Sequence, residues 1–121
     1  MNLNGLDHFT VVCRDLTKSN EFYQEVLGLK CGDRPEFDFP GAWMYLSARP
    51  IVHLVGGRTL MTEETGPFEH IAFAASNLDK WRAFLRDRDI SFEEADVPGR
   101  PMRQVFLHDP NGVKIELNFL I

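Results

Sequence analysis

Four side chains that are able to bind a metal ion recur at matching positions along the chain. His8 lies in LDHFTV and His70 lies in FEHIAF, 62 residues later, and each follows an acidic residue. His53 comes 45 residues after His8, and Glu116 comes 46 residues after His70. Imidazole suits Zn, Fe, Ni or Cu, and a carboxylate shifts the preference toward harder ions such as Mn or Fe. The spacing predicts a divalent-metal site, and a polar hydrogen-bonded cleft is the competing interpretation.

Glu116 is the member of this set that most needs a partner. It lies in the apolar run KIELNF, where an unpaired carboxylate is costly to bury. Two histidines and one carboxylate, with coordination positions left open, form the facial arrangement of non-haem Fe(II) enzymes. The fourth histidine, His108, precedes a turn and has no counterpart in the repeat, so we expect it to be a surface residue.

The four residues occupy equivalent places because the chain repeats its pattern. Each half is predicted to begin with an alternating strand, Leu6–Cys13 or Phe68–Ala75, which is followed by a helix and three further strands. This pattern predicts the α+β class, with two βαβββ modules forming a curved, cupped mixed sheet whose helices lie on the outer face. The helices should cover Phe9, Val11 and their counterparts, which leaves the histidines on the opposite, concave face beside small residues.

The boundaries of these elements follow from capping and turn residues. Asp15 and Asn77 are plausible helix N-caps, and Gly28 suits the end of the first helix. HDPNGV is a strong turn signal before the last strand. The remaining strands are predicted near Leu29–Asp33, Ala42–Ser47, Ile51–Val55, Phe92–Ala95, Gln104–His108 and Val113–Phe119. We expect a single domain over residues 1–121, with module 1 at about 1–56, a mobile linker at about 57–67 and module 2 at about 68–121.

Composition limits the possible partners. The 121 residues carry a net charge of −5, which argues against a general affinity for nucleic acid or an anionic membrane. No apolar run approaches twenty residues, and no secretory signal pattern is present at the N-terminus. Cys13 and Cys31 lack a metal-binding spacing and are interpreted as free thiols of a cytoplasmic protein. The expected partner is a small-molecule substrate.

Taken together, the paired modules and the motifs LDHFTVVCRDLTKSNEFYQEVLGL, FEHIAF and FLHDPNGVKIEL resemble the vicinal-oxygen-chelate superfamily. This superfamily includes glyoxalase I, extradiol dioxygenases, methylmalonyl-CoA epimerase and the fosfomycin and bleomycin resistance proteins. The resemblance implies metal ligands at His8, His70 and Glu116, with His53 at the fourth position. It also implies a homodimer, because members of the superfamily usually pair modules between chains.

The residue at the fourth position differs between members of this superfamily. Glyoxalase I enzymes usually carry glutamate there, and extradiol dioxygenases of the two-module type have a nearby histidine that acts as an acid/base. The residue type at His53 therefore resembles the dioxygenase pattern. Because its counterpart in the repeat, Glu116, is a predicted ligand, we expect His53 to be a fourth metal ligand, with proton transfer as the alternative. Phe106 departs from that pattern, because the dioxygenase signature has tyrosine three residues before Asp-Pro.

The resemblance favours a metal-dependent enzyme of glyoxalase I type, with isomerase or lyase chemistry on a small substrate with vicinal oxygens. An extradiol-type dioxygenase is the first alternative, and a binding or thiol-transfer protein of the antibiotic-resistance type is the second. The metal acts as a Lewis acid in such enzymes, and Glu116 or His53 would transfer a proton. The candidate residues for holding an anionic substrate are Arg49, Arg58, Arg100 and Arg103. The candidate residues for lining the mouth of the pocket are Phe37, Phe39, Trp43 and Tyr45.

Overall fold

A computed structural model describes residues 1, 4–59, 65 and 68–121. The chain divides into two compact units, Met1–Thr62 and Glu63–Ile121. Most of the predicted linker lies outside the described residues. The described strands form two hydrogen-bonded sheets of four strands, one in each unit. This arrangement confirms two βαβββ modules of the α+β class.

The first unit contains one four-stranded mixed sheet and one helical segment. Its elements are β1 (Phe9–Val12), α1 (Leu16–Glu21), a π-helical turn (Phe22–Val26), β2 (Lys30–Gly32), β3 (Gly41–Leu46) and β4 (Arg49–Val55). The strand order is β1-β4-β3-β2, with β1 parallel to β4 and the other pairs antiparallel. The parallel pair at one edge of this sheet brings the start of β1 beside β4, which is where His8 and His53 lie.

The second unit repeats this arrangement. Its elements are β5 (Ile71–Ala75), α2 (Leu78–Asp87), β6 (Glu93–Asp96), β7 (Met102–His108) and β8 (Lys114–Leu120). The strand order is β5-β8-β7-β6, and β5 is parallel to β8. The Asp109 carboxylate accepts hydrogen bonds from the backbone N–H of Asn111 at 2.7 Å and of Val113 at 2.8 Å. These bonds hold the turn that fixes the β7–β8 register.

Burial follows the alternation that the sequence predicts. In β1, Val11 is buried and Thr10 is exposed, while in β5 the exposed Ala72 and Ala74 alternate with half-buried neighbours. Each unit packs its own apolar face. The core residues that are almost inaccessible to solvent include Cys13, Tyr23, Met44, Val52 and Leu54 in the first unit and Leu85, Val105, Leu107, Ile115 and Phe119 in the second.

The helix termini confirm part of the capping prediction. The Asp15 side chain accepts a hydrogen bond from the Lys18 backbone N–H at 3.1 Å, so it caps α1 as expected. Gly28 has a φ of 72°, the left-handed conformation that favours glycine. Asn77 occupies the N-cap position of α2 as predicted, but it has a left-handed conformation and its side chain makes no capping bond. Asparagine tolerates that conformation, which explains its presence there without a cap.

Three further expectations can be compared with the structure. His108 ends β7 and is exposed, as expected for a surface residue. Cys13 is buried, Cys31 is exposed, and both are free thiols. Among the described residues, no helix is both long enough and apolar enough to cross a membrane.

Candidate metal-binding site

The second unit brings together two of the predicted ligands, His70 and Glu116. His70 directly precedes β5, and Glu116 lies on β8, where it pairs with Ala72 across the parallel ladder. The His70 Nε2 atom is 2.9 Å from the Glu116 Oε2 atom. Glu116 is only 5% exposed, and its other carboxylate oxygen, Oε1, accepts a hydrogen bond from Gln104 Nε2 at 2.5 Å. A buried carboxylate is thus held beside an imidazole whose side chain is 39% exposed.

Carboxylate oxygens face both ring nitrogens of His70. The Nδ1 atom contacts the Glu69 carboxylate, and Lys114 Nζ lies 2.9 Å from the other oxygen of Glu69. Lys114 and then His70 lower the pKa of Glu69, so Glu69 is an ionised acceptor at neutral pH. A neutral imidazole has one N–H and a carboxylate has none. When Nδ1–H is donated to Glu69, the Nε2 lone pair therefore faces the oxygen of Glu116 with no hydrogen between them.

A divalent cation satisfies this contact between two acceptors. Ligands bound at right angles, each about 2.1 Å from a metal ion, are about 3.0 Å apart, and the observed separation of His70 Nε2 and Glu116 Oε2 is 2.9 Å. The donor set fits a borderline metal such as Zn, Fe, Mn or Ni. A second proton on the His70 ring satisfies the same contact and is the hydrogen-bonded alternative. Among the described residues of either unit alone, no three histidine, cysteine, aspartate or glutamate side chains are arranged to hold a metal.

The first unit brings together the other two predicted residues, His8 and His53. The His8 ring stacks on the His53 ring with centroids 3.7 Å apart and planes inclined by 13°. Trp43 stacks on His53 as well, at 4.0 Å and 10°. Trp43 is the cross-strand partner of His53 in the β3–β4 ladder, and this register places the two rings on the same face.

Hydrogen bonds define the tautomers of these two rings. The His8 Nδ1 atom is 2.6 Å from Asp7 Oδ2, and this hydrogen bond is the main reason that the pKa of Asp7 is lowered. Because an ionised carboxylate only accepts, His8 Nδ1 carries the hydrogen and Nε2 is left to bind a cation. The His53 Nε2 atom is 3.1 Å from the Pro50 carbonyl oxygen, which also only accepts. A neutral His53 therefore carries its hydrogen on Nε2 and has its lone pair on Nδ1.

Burial lowers the pKa of His53, and the neighbouring charge of His8 lowers it further. Arg34 makes a smaller contribution in the same direction, while the Pro50 hydrogen bond opposes the shift. Both main causes disfavour the imidazolium form. His53 is therefore held in the neutral form, which is able either to accept a proton or to bind a metal.

Two polar residues beside Glu116 were not among the candidates from the sequence. Gln104 and Asn118 are paired in the β7–β8 ladder, on the same face as Glu116. The Asn118 Oδ1 atom is buried and has no hydrogen-bond partner in the described structure. The signal for both was the strong turn before β8, since a hairpin register counted outward from that turn places Gln104 opposite Asn118.

Comparisons with known proteins identify the family. The sequence profile of the Glyoxalase/Bleomycin resistance protein/Dioxygenase superfamily matches residues 5–117. The chain is 31% identical to Glyoxylase I 4 of Arabidopsis thaliana over 127 aligned positions, covering 97% of this chain and 71% of the relative. It is 26% identical to Metallothiol transferase FosB of Staphylococcus epidermidis, covering 96% of this chain and 84% of that protein.

A solved structure shares the fold. The fosfomycin resistance protein FosX of Listeria monocytogenes aligns with a TM-score of 0.77 at 17% identity, covering 98% of this chain and 94% of that one. Together with the profile match, this similarity confirms the resemblance seen in the sequence. The chain belongs to the glyoxalase/bleomycin resistance protein/dioxygenase superfamily.

Proposed function

We propose that the protein is a divalent-metal-dependent enzyme that acts on a small substrate with two neighbouring oxygens, and that His8, His70 and Glu116 are the metal ligands. The observation that carries this proposal is the 2.9 Å separation between a carboxylate oxygen of the buried Glu116 and the Nε2 atom of His70. The bound metal would act as a Lewis acid on the substrate oxygens, a role worth several kcal/mol of transition-state stabilisation.

The residues around the ligands prepare them for this role. Asp7 and Glu69 accept the Nδ1–H groups of His8 and His70, which orients each ring and leaves its Nε2 for the metal. Gln104 donates to Glu116 and fixes the rotation of its carboxylate. The same acid–histidine pair therefore supports both predicted histidine ligands, in agreement with the repeat.

We assign proton transfer rather than metal binding to His53. Its ring is nearly parallel to that of His8, with centroids 3.7 Å apart, so the lone pairs of the two rings lie in two separate, nearly parallel planes. An ion in the plane of one ring lies well outside the plane of the other. The lowered pKa of His53 keeps it neutral and able to accept a proton.

The proposed reaction is an isomerisation of glyoxalase I type. A proton leaves the carbon beside one substrate oxygen and returns to the neighbouring carbon, so substrate and product are isomers and no oxidant is consumed. The similarity to Glyoxylase I 4 supports this choice. Thiol transfer is the second candidate, because the similarity to Metallothiol transferase FosB covers nearly the whole chain. The extradiol-type dioxygenase ranks below both, since Phe106 replaces the tyrosine of that signature.

Turnover assays after metal exchange test the assignment. The protein is stripped with a chelator, reloaded separately with Mn, Fe(II), Zn or Ni, and assayed for three reactions. These reactions are the isomerisation of the methylglyoxal–glutathione hemithioacetal, loss of free thiol with fosfomycin, and oxygen uptake with catechol. We expect metal-dependent hemithioacetal turnover. Metal-dependent activity in only one of the other assays would replace the isomerase by that candidate, and equal turnover with and without metal would refute the proposal.

A further inference from the structure

In the first unit, a row of aromatic contacts leads from the candidate histidines to Arg34. Phe37 and Phe39 stack with centroids 5.0 Å apart, and Phe37 lies 6.5 Å from Trp43. Trp43 in turn stacks on His53 at 4.0 Å. We call Phe37, Phe39, Trp43 and His53 the aromatic row. Because each ring lies beside the next, the row is a continuous series of aromatic rings that ends at the histidine stack.

The Arg34 guanidinium is fixed at the other end of this row. Its Cζ atom lies 4.9 Å from the centroid of Phe37 and 5.1 Å from that of Phe39, within the range of cation–π attraction. Its Nη2 donates to the Phe39 carbonyl oxygen at 3.0 Å. The hydrogen bond to Phe39 and the two ring contacts together orient the guanidinium before any ligand binds.

Most N–H groups of Arg34 remain available to a ligand. Among the described residues, no carboxylate forms an ion pair with Arg34, although Asp33, Glu36 and Asp38 are close to it in sequence. Arg82 shows the contrast, since its guanidinium is taken up by Asp79 and Glu94. A guanidinium presents five N–H donors in a planar fork, and Phe39 accepts from only one of its nitrogens.

The aromatic rings beside Arg34 are also open to solvent. Phe37 is 45% exposed and Phe39 is 36% exposed, and the two rings are adjacent, as in a contiguous apolar patch at a ligand-binding site. Arg34 is also close enough to His53 for its charge to act on that ring. A guanidinium that forms no ion pair with any described carboxylate and a set of exposed aromatic rings thus lie next to the candidate proton acceptor.

We propose that Arg34 binds an anionic group of the substrate while an apolar part of the same molecule contacts the exposed rings of the aromatic row. The substrate class is then a carboxylate that carries an apolar group, with its neighbouring oxygens directed toward His53 and His8. This inference rests on the proposed function for the identity of the reacting end. The anion site itself is built from the first unit alone and does not depend on a metal.

Ligand binding to chelator-treated protein tests the anion site separately from the metal. Phenylacetate and phenylacetamide are the probes, since they share a ring and differ in charge. The chain has two tryptophans, so a Trp81→Phe background leaves Trp43 as the fluorescence reporter. In this background, Arg34→Met should weaken phenylacetate binding by about tenfold or more, the usual effect of losing a hydrogen bond to a charged group. Phenylacetamide binding should change by less than about twofold.

Lys18→Met is the control, because it removes one positive charge from an exposed position of the same unit that has no part in the proposed site. It should leave the affinity for both probes within about twofold. Equal losses of both probes in Arg34→Met, unchanged phenylacetate binding, or no binding of phenylacetate to the parent protein would each overturn the proposal. Metal content of Arg34→Met should match that of the parent. If the protein does not bind metal but still binds phenylacetate more tightly than phenylacetamide through Arg34, the anion site is supported and the proposed function is refuted.

Discussion

The substitution Gln104→Met tests how much the hydrogen bond from Gln104 to Glu116 contributes to stability and to metal binding. Gln104 Nε2 donates to Glu116 Oε1 at 2.5 Å, and the Glu116 side chain is almost entirely buried. A hydrogen bond to a charged group contributes about 1.5–3 kcal/mol, and little solvent is present to replace this one. Methionine has a similar length and flexibility, so packing is largely retained. We expect the free energy of unfolding of the metal-free protein to fall by about 1.5–3 kcal/mol.

Urea denaturation of chelator-treated protein at neutral pH measures this change in stability. Competition with a metal-binding dye measures the effect of the same substitution on metal affinity. Because Gln104 orients a proposed ligand, its loss should weaken metal binding by about 10–100-fold. The control is Gln24→Met, at an exposed helical position, which should change stability by less than about 0.5 kcal/mol. If Gln104→Met and Gln24→Met match in both stability and metal affinity, Gln104 does not support Glu116.

Three further predictions concern stability, mechanism and assembly. Arg82 and Arg103 lower the pKa of Glu94 to about 2 from its ordinary 4.5. The contribution of the Glu94 carboxylate to the stability of the fold is therefore complete above pH 4.5 and disappears as the pH falls toward 2. Glu94→Gln should therefore lower the free energy of unfolding at neutral pH by about 1–2 kcal/mol, discounted for partial exposure, while Glu93→Gln at an exposed position should change it little. A stability difference between Glu94→Gln and the wild type that stays constant down to pH 2 would contradict this cause. His53→Ala should keep its metal and lose about 10²–10⁴ in rate, whereas loss of metal together with rate would indicate that His53 is a ligand. We propose a homodimer, for which light scattering should give twice the 13.9 kDa of one chain, and a monomeric mass at micromolar concentration would exclude it.

The repeat allowed most of the fold to be predicted from the sequence. Alternation of apolar residues located all eight strands, and the Asp-Pro-Asn-Gly turn located the last hairpin. The boundaries were less accurate at the first strand of each module. The strand with His8 was expected from Leu6 and begins at Phe9, and the strand with His70 was expected from Phe68 and begins at Ile71. Pattern alone does not show where pairing with the parallel neighbour begins.

The parts of the site that escaped prediction depend on contacts between distant residues. The stack of Trp43 on His53 requires the β3–β4 register, which Pro50 and the preceding turn made uncertain from the sequence. Arg34 resembles any other surface arginine in the sequence, and its position follows from its contacts with the rings of Phe37 and Phe39 and with the Phe39 carbonyl oxygen. The continuation of α1 as a π-helical turn from Phe22 to Val26 was also not predictable from the sequence. The spacing of the apolar residues in this segment is compatible with either an α-helix or a π-helical turn.

The central claim is that Glu116 binds a metal, and the metal content of the wild type and of Glu116→Gln tests it most directly. Glutamine keeps the volume of the side chain and removes the charge that faces His70 Nε2. Elemental analysis after loading with a single divalent metal and dialysis should find the wild type occupied. The variant should bind the metal at least about tenfold more weakly, because loss of a ligand costs no less than loss of the group that supports it. Equal loading of the two folded proteins would contradict the account.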